Sequence, residues 1–246
     1  MALRLLLDSA DPAAWAEWLP SGLFHGVTTN PTLLRRAGQP CRLDHLAALT
    51  ERALALGARE VHLQAWAGIG VGSGQASGGQ AAESQASEAQ ASDAQAERYL
   101  ACGRALAALA PRRVWVKLPI TRAGALAARQ LLEEAIPITF TACYEPAQVL
   151  LAAALGADYI APYLGRIGDL GRDGHAELAA MQRCVAGIGS PLRLLVASLR
   201  QPQDLARLAA EGLDTFTISP AIAAGLFAST ATIEAAEQFE RDALGG

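Results

Sequence analysis

The apolar run Val114-Trp115-Val116-Lys117-Leu118-Pro119 lies between two alanine- and leucine-rich stretches with helical spacing. Short apolar runs that alternate with helical stretches are typical of parallel α/β proteins. The alternation continues along the whole chain and gives eight strand-like runs. They are Leu3–Asp8, Phe24–Thr28, Glu60–Gln64, Arg113–Leu118, Ile138–Ala142, Tyr159–Tyr163, Leu192–Ala197 and Thr215–Ile218. Eight strands with helical connections predict an α/β fold of the (β/α)8 TIM-barrel type.

A doubly wound open sheet is the main alternative to the barrel. Such a sheet usually has a glycine-rich phosphate loop after its first strand, and Asp8-Ser9-Ala10-Asp11-Pro12 is not such a loop. The length of 246 residues suits one barrel, so we expect a single domain over residues 1–246. The stretch Leu226–Ala243 has apolar residues at helical spacing and predicts an additional C-terminal helix, packed on its own barrel or on a neighbour's.

Residues 67–97 interrupt the alternation. They are rich in Ala, Gly, Gln and Ser and contain neither Lys nor Arg. Glutamine followed by alanine recurs every five residues from Gln75 to Gln95, a period that gives no single apolar stripe on a helix. We therefore expect a low-complexity insertion within the barrel. Its glycine-rich first half should be a flexible loop, and its second half a solvated extension of the following helix.

Composition excludes several classes of function. A net charge of −4 and a pI near 5.6 argue against nucleic acid or an anionic membrane as partner. The apolar start of the chain is too short for a signal peptide or a membrane span. The four cysteines are scattered, with no CxxC pair, and predict free thiols in a reducing cytoplasm. The four histidines lack metal-ligand spacing, so we expect no metal and no cofactor.

Lys117 is the only lysine among the 20 basic residues of the chain. Arginine cannot replace lysine where a titratable, nucleophilic nitrogen is needed, because the guanidinium stays protonated. A desolvated lysine can lose its proton near neutrality and attack a carbonyl to form a Schiff base. The competing interpretation is a surface lysine that survived an arginine-rich bias, but an apolar strand is a poor place for such a residue.

Polar side chains stand where the predicted strands end, which is the active-site end of a TIM barrel. Each has an ordinary explanation as a helix cap, a turn residue or a bonded core residue. Their shared location nevertheless favours a site. The nine candidates belong to the first seven strands and are Asp8, Thr28, Asn30, Gln64, Lys117, Thr141, Tyr163, Arg166 and Ser198.

Three motifs resemble those of the small transaldolases and fructose-6-phosphate aldolases. They are Gly26-Val27-Thr28-Thr29-Asn30-Pro31, Val116-Lys117-Leu118-Pro119-Ile120-Thr121 and Ala161-Pro162-Tyr163-Leu164-Gly165-Arg166, and the resemblance runs from Leu3 to about Asp242. Members of this family are (β/α)8 barrels whose Schiff-base lysine lies on the fourth strand, where Lys117 falls. The resemblance implies a cytoplasmic enzyme of carbohydrate metabolism that acts on sugar phosphates and dihydroxyacetone. It also implies a homo-oligomer, a ring of five or a pair of such rings.

The resemblance implies catalytic roles for five of the nine residues. Lys117 forms the imine with the ketose carbonyl, which then serves as electron sink for cleavage of a carbon–carbon bond. Asp8 matches the acid/base aspartate, which takes the proton from the hydroxyl at that bond. Gln64, Thr141 and Tyr163 match the residues that hold a proton-shuttling water.

The other four residues match positions that bind substrate. Thr28 and Asn30 match the positions that line the donor pocket beside the imine. Arg166 and Ser198 match the residues that bind the phosphate of the acceptor, and a guanidinium fork suits a phosphate dianion.

The two branches of the family differ at the positions of Gln64 and Tyr163, where the transaldolases have glutamate and phenylalanine. A tyrosine hydroxyl can deliver a proton to the three-carbon enamine and so release free dihydroxyacetone, which a phenylalanine cannot do. This favours a fructose-6-phosphate aldolase, although the Gly165–Asp169 loop is more similar to the transaldolases. Phe140 and Cys143 beside Thr141 are larger than the family's residues, and we expect them to change the pocket for the aldehyde.

Three other interpretations stay open. The first is a transaldolase, which transfers a dihydroxyacetone unit between sugar phosphates in the pentose phosphate pathway. A deoxyribose-phosphate type of aldolase would need its lysine on the sixth strand, where this chain has none. A non-catalytic barrel that only binds ligands would not need the whole polar set beside the single lysine.

Overall fold

A computed structural model describes residues 2–68 and 81–245. All eight predicted strands are present, pair in parallel and close into a barrel in chain order, with β1 against β8. Their bounds are β1 Arg4–Asp8, β2 Gly26–Thr28, β3 Glu60–Gln64, β4 Val114–Pro119, β5 Ile138–Cys143, β6 Tyr159–Pro162, β7 Arg193–Val196 and β8 Thr215–Ile218. The (β/α)8 TIM barrel is therefore confirmed, and the doubly wound open sheet is wrong, because an open sheet has two unpaired edges.

Helices alternate with the strands and surround the barrel. They are α1 Pro12–Trp18, α2 Pro31–Arg36, α3 Leu43–Ala55, α4 Ala81–Leu109, α5 Arg122–Glu133, α6 Pro146–Leu155, α7 Leu164–Asp169, α8 Gly174–Gly187, α9 Gln203–Ala210, α10 Pro220–Gly225 and α11 Thr230–Ala243. Several begin at a proline, whose fixed φ suits a first helical turn that has no use for its N–H. Among the described residues, no helix is long and apolar enough to cross a membrane.

Two segments outside the regular alternation were predicted to contain helix, namely the second half of the 67–97 insertion and the C-terminal stretch. The second half of the 67–97 insertion belongs to α4, as predicted, whereas the glycine-rich half lies almost entirely outside the described residues. The predicted C-terminal helix is present as α11, and none of its residues is buried. In this chain α11 therefore does not pack its apolar residues into the barrel's core.

Alternate residues of each strand face opposite sides of the barrel wall. Outward-facing residues such as Val61, Val116 and Phe140 pack with the helices in the large core cluster. The inward-facing apolar residues form a separate, smaller cluster, whose buried members are Leu6, Tyr159, Ala161, Leu195 and Ala197. This apolar middle layer separates a polar group at the amino end of the strands from another at their carboxyl end.

The amino-end cluster consists of Arg4, His25, Glu60, His62 and Tyr159. Its centre is the Glu60 carboxylate, which is 4 % exposed. Arg4 Nη1 lies 2.8 Å and His25 Nε2 2.7 Å from Oε1, while His62 Nε2 lies 3.1 Å and the Tyr159 hydroxyl 2.8 Å from Oε2. Burial alone would raise the pKa of Glu60, but these partners lower it to about 2. The carboxylate is thus ionised and fully bonded.

Candidate active site

Lys117 lies on the inner face of β4 near the carboxyl end of the barrel. Its side chain is buried, and Nζ donates a 2.9 Å hydrogen bond to the backbone carbonyl of Thr29. Burial lowers the pKa of Lys117 to about 8, even though the nearby Asp8 carboxylate favours the ammonium. A substantial fraction of this amine is therefore neutral, and nucleophilic, slightly above neutral pH.

Asp8 ends β1 and lies in the same buried region. Burial raises its pKa, against the opposing effects of the Lys117 charge, a hydrogen bond from Thr28 and the Arg166 charge. Thr28 Oγ1 donates to Asp8 Oδ1 at 2.7 Å and lies 2.5 Å from Thr217 Oγ1. Thr217 therefore supports the carboxylate through Thr28. The sequence motifs did not include Thr217, but its inward position on β8 was available from the alternation of that strand.

Gln64 and Thr141 are joined to Lys117 through the backbone. Gln64 is paired with Lys117 in the β3–β4 register, and its Nε2 donates to the Lys117 carbonyl at 3.0 Å. The Thr141 hydroxyl donates to Gln64 Oε1 at 3.2 Å. The two side chains are thus hydrogen-bonded to each other on the strands that flank the lysine.

Tyr163 directly follows β6 and continues the inward-facing series of Tyr159 and Ala161, while the neighbouring β5 is irregular at this level. The register of β5 against β6 shifts between Phe140 and Cys143, and Ala142 adopts a left-handed φ of 57°. Burial raises the pKa of Tyr163, although a backbone hydrogen bond at Ala142 opposes this effect. The phenol is therefore protonated at neutral pH and can act as a proton donor.

Arg166 and Ser198 are brought together by Gly165. The Gly165 N–H donates to the Ser198 carbonyl at 2.9 Å, and a Cβ on Gly165 would lie only 2.5 Å from that oxygen. Ser198 itself has a φ of 60°, a conformation that is uncommon for a residue with a side chain. Arg166 lies over the Tyr163 ring, with Cζ 5.0 Å from the ring centroid. The loops after β6 and β7 thus present a guanidinium and a hydroxyl side by side.

A cavity of about 190 Å³ opens among these residues at the carboxyl end of the strands. Seven of the nine predicted residues line it: Asp8, Thr28, Asn30, Lys117, Tyr163, Arg166 and Ser198. Gln64 and Thr141 instead line an adjoining cavity of about 690 Å³, which shares Asn30, Tyr163 and Arg166 with the first. Asn30 also has a structural role, because its Oδ1 accepts the backbone N–H of Leu33 as the cap of α2.

The expectation that Phe140 and Cys143 shape the aldehyde pocket is wrong. Both are fully buried in the core between the barrel and its helices, and neither lines the two cavities. Phe140 faces outward because it alternates with Thr141 along β5. Cys143 would share the inner face with Thr141 in a regular strand, and the irregularity at Ala142 places it in the outer core instead. Arg36, by contrast, lines the lysine cavity although no motif pointed to it.

Among residues 2–68 and 81–245, no three His, Cys, Asp or Glu side chains are grouped as ligands for a metal ion. A closed (β/α)8 barrel with a buried lysine amine beside an aspartate at the carboxyl end of its strands defines a class of enzyme, the Schiff-base aldolases and related transferases. The chain belongs to the transaldolase/fructose-6-phosphate aldolase family, whose model matches residues 5–244. The resemblance seen in the sequence is thereby confirmed.

Proteins similar to this chain carry the name probable transaldolase. This chain is 33 % identical over 243 residues to a probable transaldolase of Caulobacter sp. (strain K31), and the match covers 99 % of this chain and 97 % of that protein. It is 32 % identical over 240 residues to a probable transaldolase of Caulobacter vibrioides, covering 98 % and 96 %. These similarities make the chain an aldolase- or transaldolase-like enzyme.

Solved structures share the fold only. A thiamine phosphate pyrophosphorylase from Pyrococcus furiosus is 11 % identical with a TM-score of 0.52, covering 88 % of this chain and 85 % of that one. A flavocytochrome b2 variant with sulfite bound is 11 % identical with a TM-score of 0.57, covering 88 % of this chain and 56 % of that one. At such identities the similarity supports the barrel architecture and says nothing about substrate.

Proposed function

We propose that this protein is a class I aldolase that cleaves fructose 6-phosphate into dihydroxyacetone and glyceraldehyde 3-phosphate. The observation that carries this proposal is the location of Tyr163, which lines both the lysine cavity and the adjoining cavity that holds Gln64. Its protonated hydroxyl is the group that an aldolase needs and that a transaldolase must lack if its enamine is to wait for an acceptor. The family itself includes both activities.

The reaction begins at Lys117. Its neutral amine adds to C2 of the ketose, and loss of water leaves a protonated imine. Asp8 then accepts the proton of the C4 hydroxyl while the C3–C4 bond breaks and its electrons move into the imine. Glyceraldehyde 3-phosphate leaves with a new C4 carbonyl, and an enamine of dihydroxyacetone stays on Lys117. Thr28 holds the Asp8 carboxylate in position through its 2.7 Å hydrogen bond.

The enamine is resolved by protonation at C3. Tyr163 delivers this proton through a water that Gln64 and Thr141 hold, and the resulting imine is hydrolysed to free dihydroxyacetone. The hydrogen bond between Thr141 and Gln64 fixes the amide so that its remaining donor and acceptor capacity can orient that water. Asn30 and Thr28 border the donor carbons, and Arg166 with Ser198 takes the phosphate of the aldehyde.

The test is an assay of fructose 6-phosphate with and without erythrose 4-phosphate. We expect the wild-type protein to release dihydroxyacetone without an acceptor. Tyr163→Phe should lose that release while it keeps or gains transfer to erythrose 4-phosphate. Tyr144→Phe is the comparison variant, because Tyr144 contacts the Tyr163 ring edge-on and lines neither cavity. Its hydroxyl accepts a 3.5 Å hydrogen bond from Arg166, so this variant should at most weaken phosphate binding and should keep the release of dihydroxyacetone. Efficient transfer by the wild type with no free dihydroxyacetone would contradict the proposal.

Transaldolase activity is the second candidate, and the names of the relatives favour it. Under this alternative the enamine persists until an aldose phosphate enters, and Arg166 and Ser198 bind the phosphates of both donor and acceptor. The same assay distinguishes the two activities, because a transaldolase consumes fructose 6-phosphate only when the aldose is present.

We also infer a cytoplasmic homo-oligomer, a pentamer or a decamer. The supporting observation is α11, which exposes Phe239 to 70 % and Ile233 to 48 % in the isolated chain. Such residues on a helix without buried positions favour packing against a second copy. Light scattering of the purified protein would measure the assembly, and a monodisperse monomer would contradict this inference.

A further inference from the structure

Arg36 ends α2 and lines the lysine cavity. The helix presents Thr32, Leu33 and Arg36 to that cavity, a spacing of one and four residues that corresponds to one helical face. The beginning of α2 is fixed by Asn30, which caps it and also lines the cavity. The position of Arg36 is therefore tied to the catalytic site by a short, rigid element.

Arg36 and Arg166 approach the cavity from opposite directions. Arg36 follows β2 and Arg166 follows β6, and in a closed barrel of eight strands these two strands lie across from each other. Both residues nevertheless line one cavity of about 190 Å³. The two arginines therefore border the same space from opposite sides of the barrel mouth.

The Arg36 guanidinium has no ion-pair partner among the described residues, unlike those of two other arginines at the carboxyl end of the barrel. Arg200 pairs with Asp169 at 2.5 Å, and Arg172 pairs with Glu145 at 2.6 Å. Within residues 2–68 and 81–245, the exposed Arg36 side chain has no hydrogen bond or ion pair. A phosphate dianion offers three terminal oxygens with several acceptor positions, more than one guanidinium fork and one hydroxyl can fill.

We propose that Arg36 is a substrate-binding residue that holds the phosphate of the sugar jointly with Arg166 and Ser198. The ligand class is a phosphate monoester on a short polyol chain. The inference rests on the proposed function for the identity of that chain. A clamp with two guanidiniums makes the enzyme selective for phosphorylated over unphosphorylated aldehydes.

The first experiment measures binding without catalysis. Glycerol 3-phosphate and glycerol are titrated into the full-length protein by calorimetry, since neither has a carbonyl to react with Lys117. Arg36→Ala should weaken glycerol 3-phosphate binding about tenfold, the loss expected for a charge-assisted contact. Arg35→Ala is the control, because Arg35 is an exposed cation on the same helix that does not line the cavity.

The second experiment combines the two arginines and adds kinetics. Because both contact one phosphate, the combined loss in the Arg36→Ala/Arg166→Ala protein should differ from the product of the single losses. In dihydroxyacetone addition, Arg36→Ala should raise KM for glyceraldehyde 3-phosphate at least about fivefold more than KM for glyceraldehyde.

Three results would overturn the inference: unchanged glycerol 3-phosphate binding by Arg36→Ala, an equal loss in Arg35→Ala, or independent losses in the double variant. A wild type that makes no product from either aldehyde would contradict the proposed function instead. In that case the calorimetric titrations still decide the role of Arg36.

Discussion

At the carboxyl end of the barrel interior the Lys117 amine has one hydrogen-bond partner among the described residues, whereas at the amino end the Glu60 carboxylate has four. Both groups are almost completely withdrawn from solvent. Both pKa values are lowered, yet the lower value favours the neutral form of the lysine and the charged form of the glutamate. Burial brings the pKa of Lys117 down to about 8 and favours its neutral form, while its partners bring that of Glu60 to about 2 and favour its charged form.

The difference shows that burial does not by itself determine how an ionisable group behaves. At the amino end, Arg4, His25, His62 and Tyr159 replace the water that Glu60 lost, so the cluster stabilises the folded state. At the carboxyl end, Lys117 lacks such compensation and faces a cavity that substrate can enter. One end of the barrel interior thus contributes stability, and the other holds a poorly solvated ammonium whose neutral form is correspondingly favoured and serves as the nucleophile.

The largest expected effect is the loss of activity when the Lys117 amine is replaced. Lys117→Arg keeps the charge, but a guanidinium is not a usable nucleophile, so activity and imine formation should fall to background. Borohydride reduction during turnover of the wild type should attach one dihydroxyacetone-derived group, mapped to Lys117 by peptide mass spectrometry. Lys117→Arg should show none.

A matched control separates burial from the presence of an amine. Arg129→Lys introduces a second lysine on α5, at a position where the side chain is 70 % exposed. An exposed amine keeps its ordinary pKa and should not be trapped. Normal turnover by Lys117→Arg, or an adduct on the N-terminus, would show that the Schiff-base mechanism is wrong.

The second prediction concerns the amino-end cluster. The folded pKa of Glu60 is about 2, below its ordinary value of 4.5, so its stabilisation is present above pH 4.5 and is lost as the pH falls toward 2. Glu60→Gln should lower the free energy of unfolding at pH 7 by about 3 kcal/mol and remove that part of the pH dependence. Urea titrations at pH 3 and pH 7 measure both effects.

Glu133→Gln is the control for that experiment, because Glu133 forms an exposed pair with Arg129. Its stability should change little at either pH. If Glu60→Gln unfolds no more easily than this control, the amino-end cluster is not the stabilising counterpart of the lysine site.

The architecture of this protein could be predicted because its signal is repeated. All eight strands were found from apolar runs, and Glu60–Gln64 and Thr215–Ile218 agree with the structure at both ends. Seven candidate residues line one cavity because the carboxyl ends of parallel strands converge in a barrel. The positions of these residues along the strands predict that they meet at the carboxyl end of the barrel, whatever the packing of the side chains around them.

Other features of the site depend on contacts that no sequence pattern reports. The irregularity at Ala142 turns Cys143 outward, so the expectation for Cys143 is wrong for a reason that the sequence does not show. Phe140 faces outward by the ordinary alternation with Thr141. Thr217 supports Asp8 across strands that are far apart in sequence. The amino-end cluster joins Glu60 of β3 to Tyr159 of β6, and neither residue has a motif around it.

The smallest expected effect concerns the free energy of unfolding, which the burial of the Lys117 amine lowers. The folded pKa of Lys117 is about 8, below its ordinary value of 10.5, so the unfolded chain binds more protons between these values. Stability should therefore rise with pH through this window, and the full cost is present below pH 8. Lys117→Met removes that cost and should stabilise the protein at pH 7 by about 1–2 kcal/mol, less than the shift alone implies. Two losses explain the reduction: the Thr29 carbonyl loses its donor, and Asp8 loses a favourable charge.

Thermal unfolding of wild type and variant at pH 7 and pH 10 measures the gain in stability, which should shrink at the higher pH. A variant less stable than wild type at pH 7 would show that the lysine is compensated as fully as Glu60, and the contrast between the two ends would be wrong.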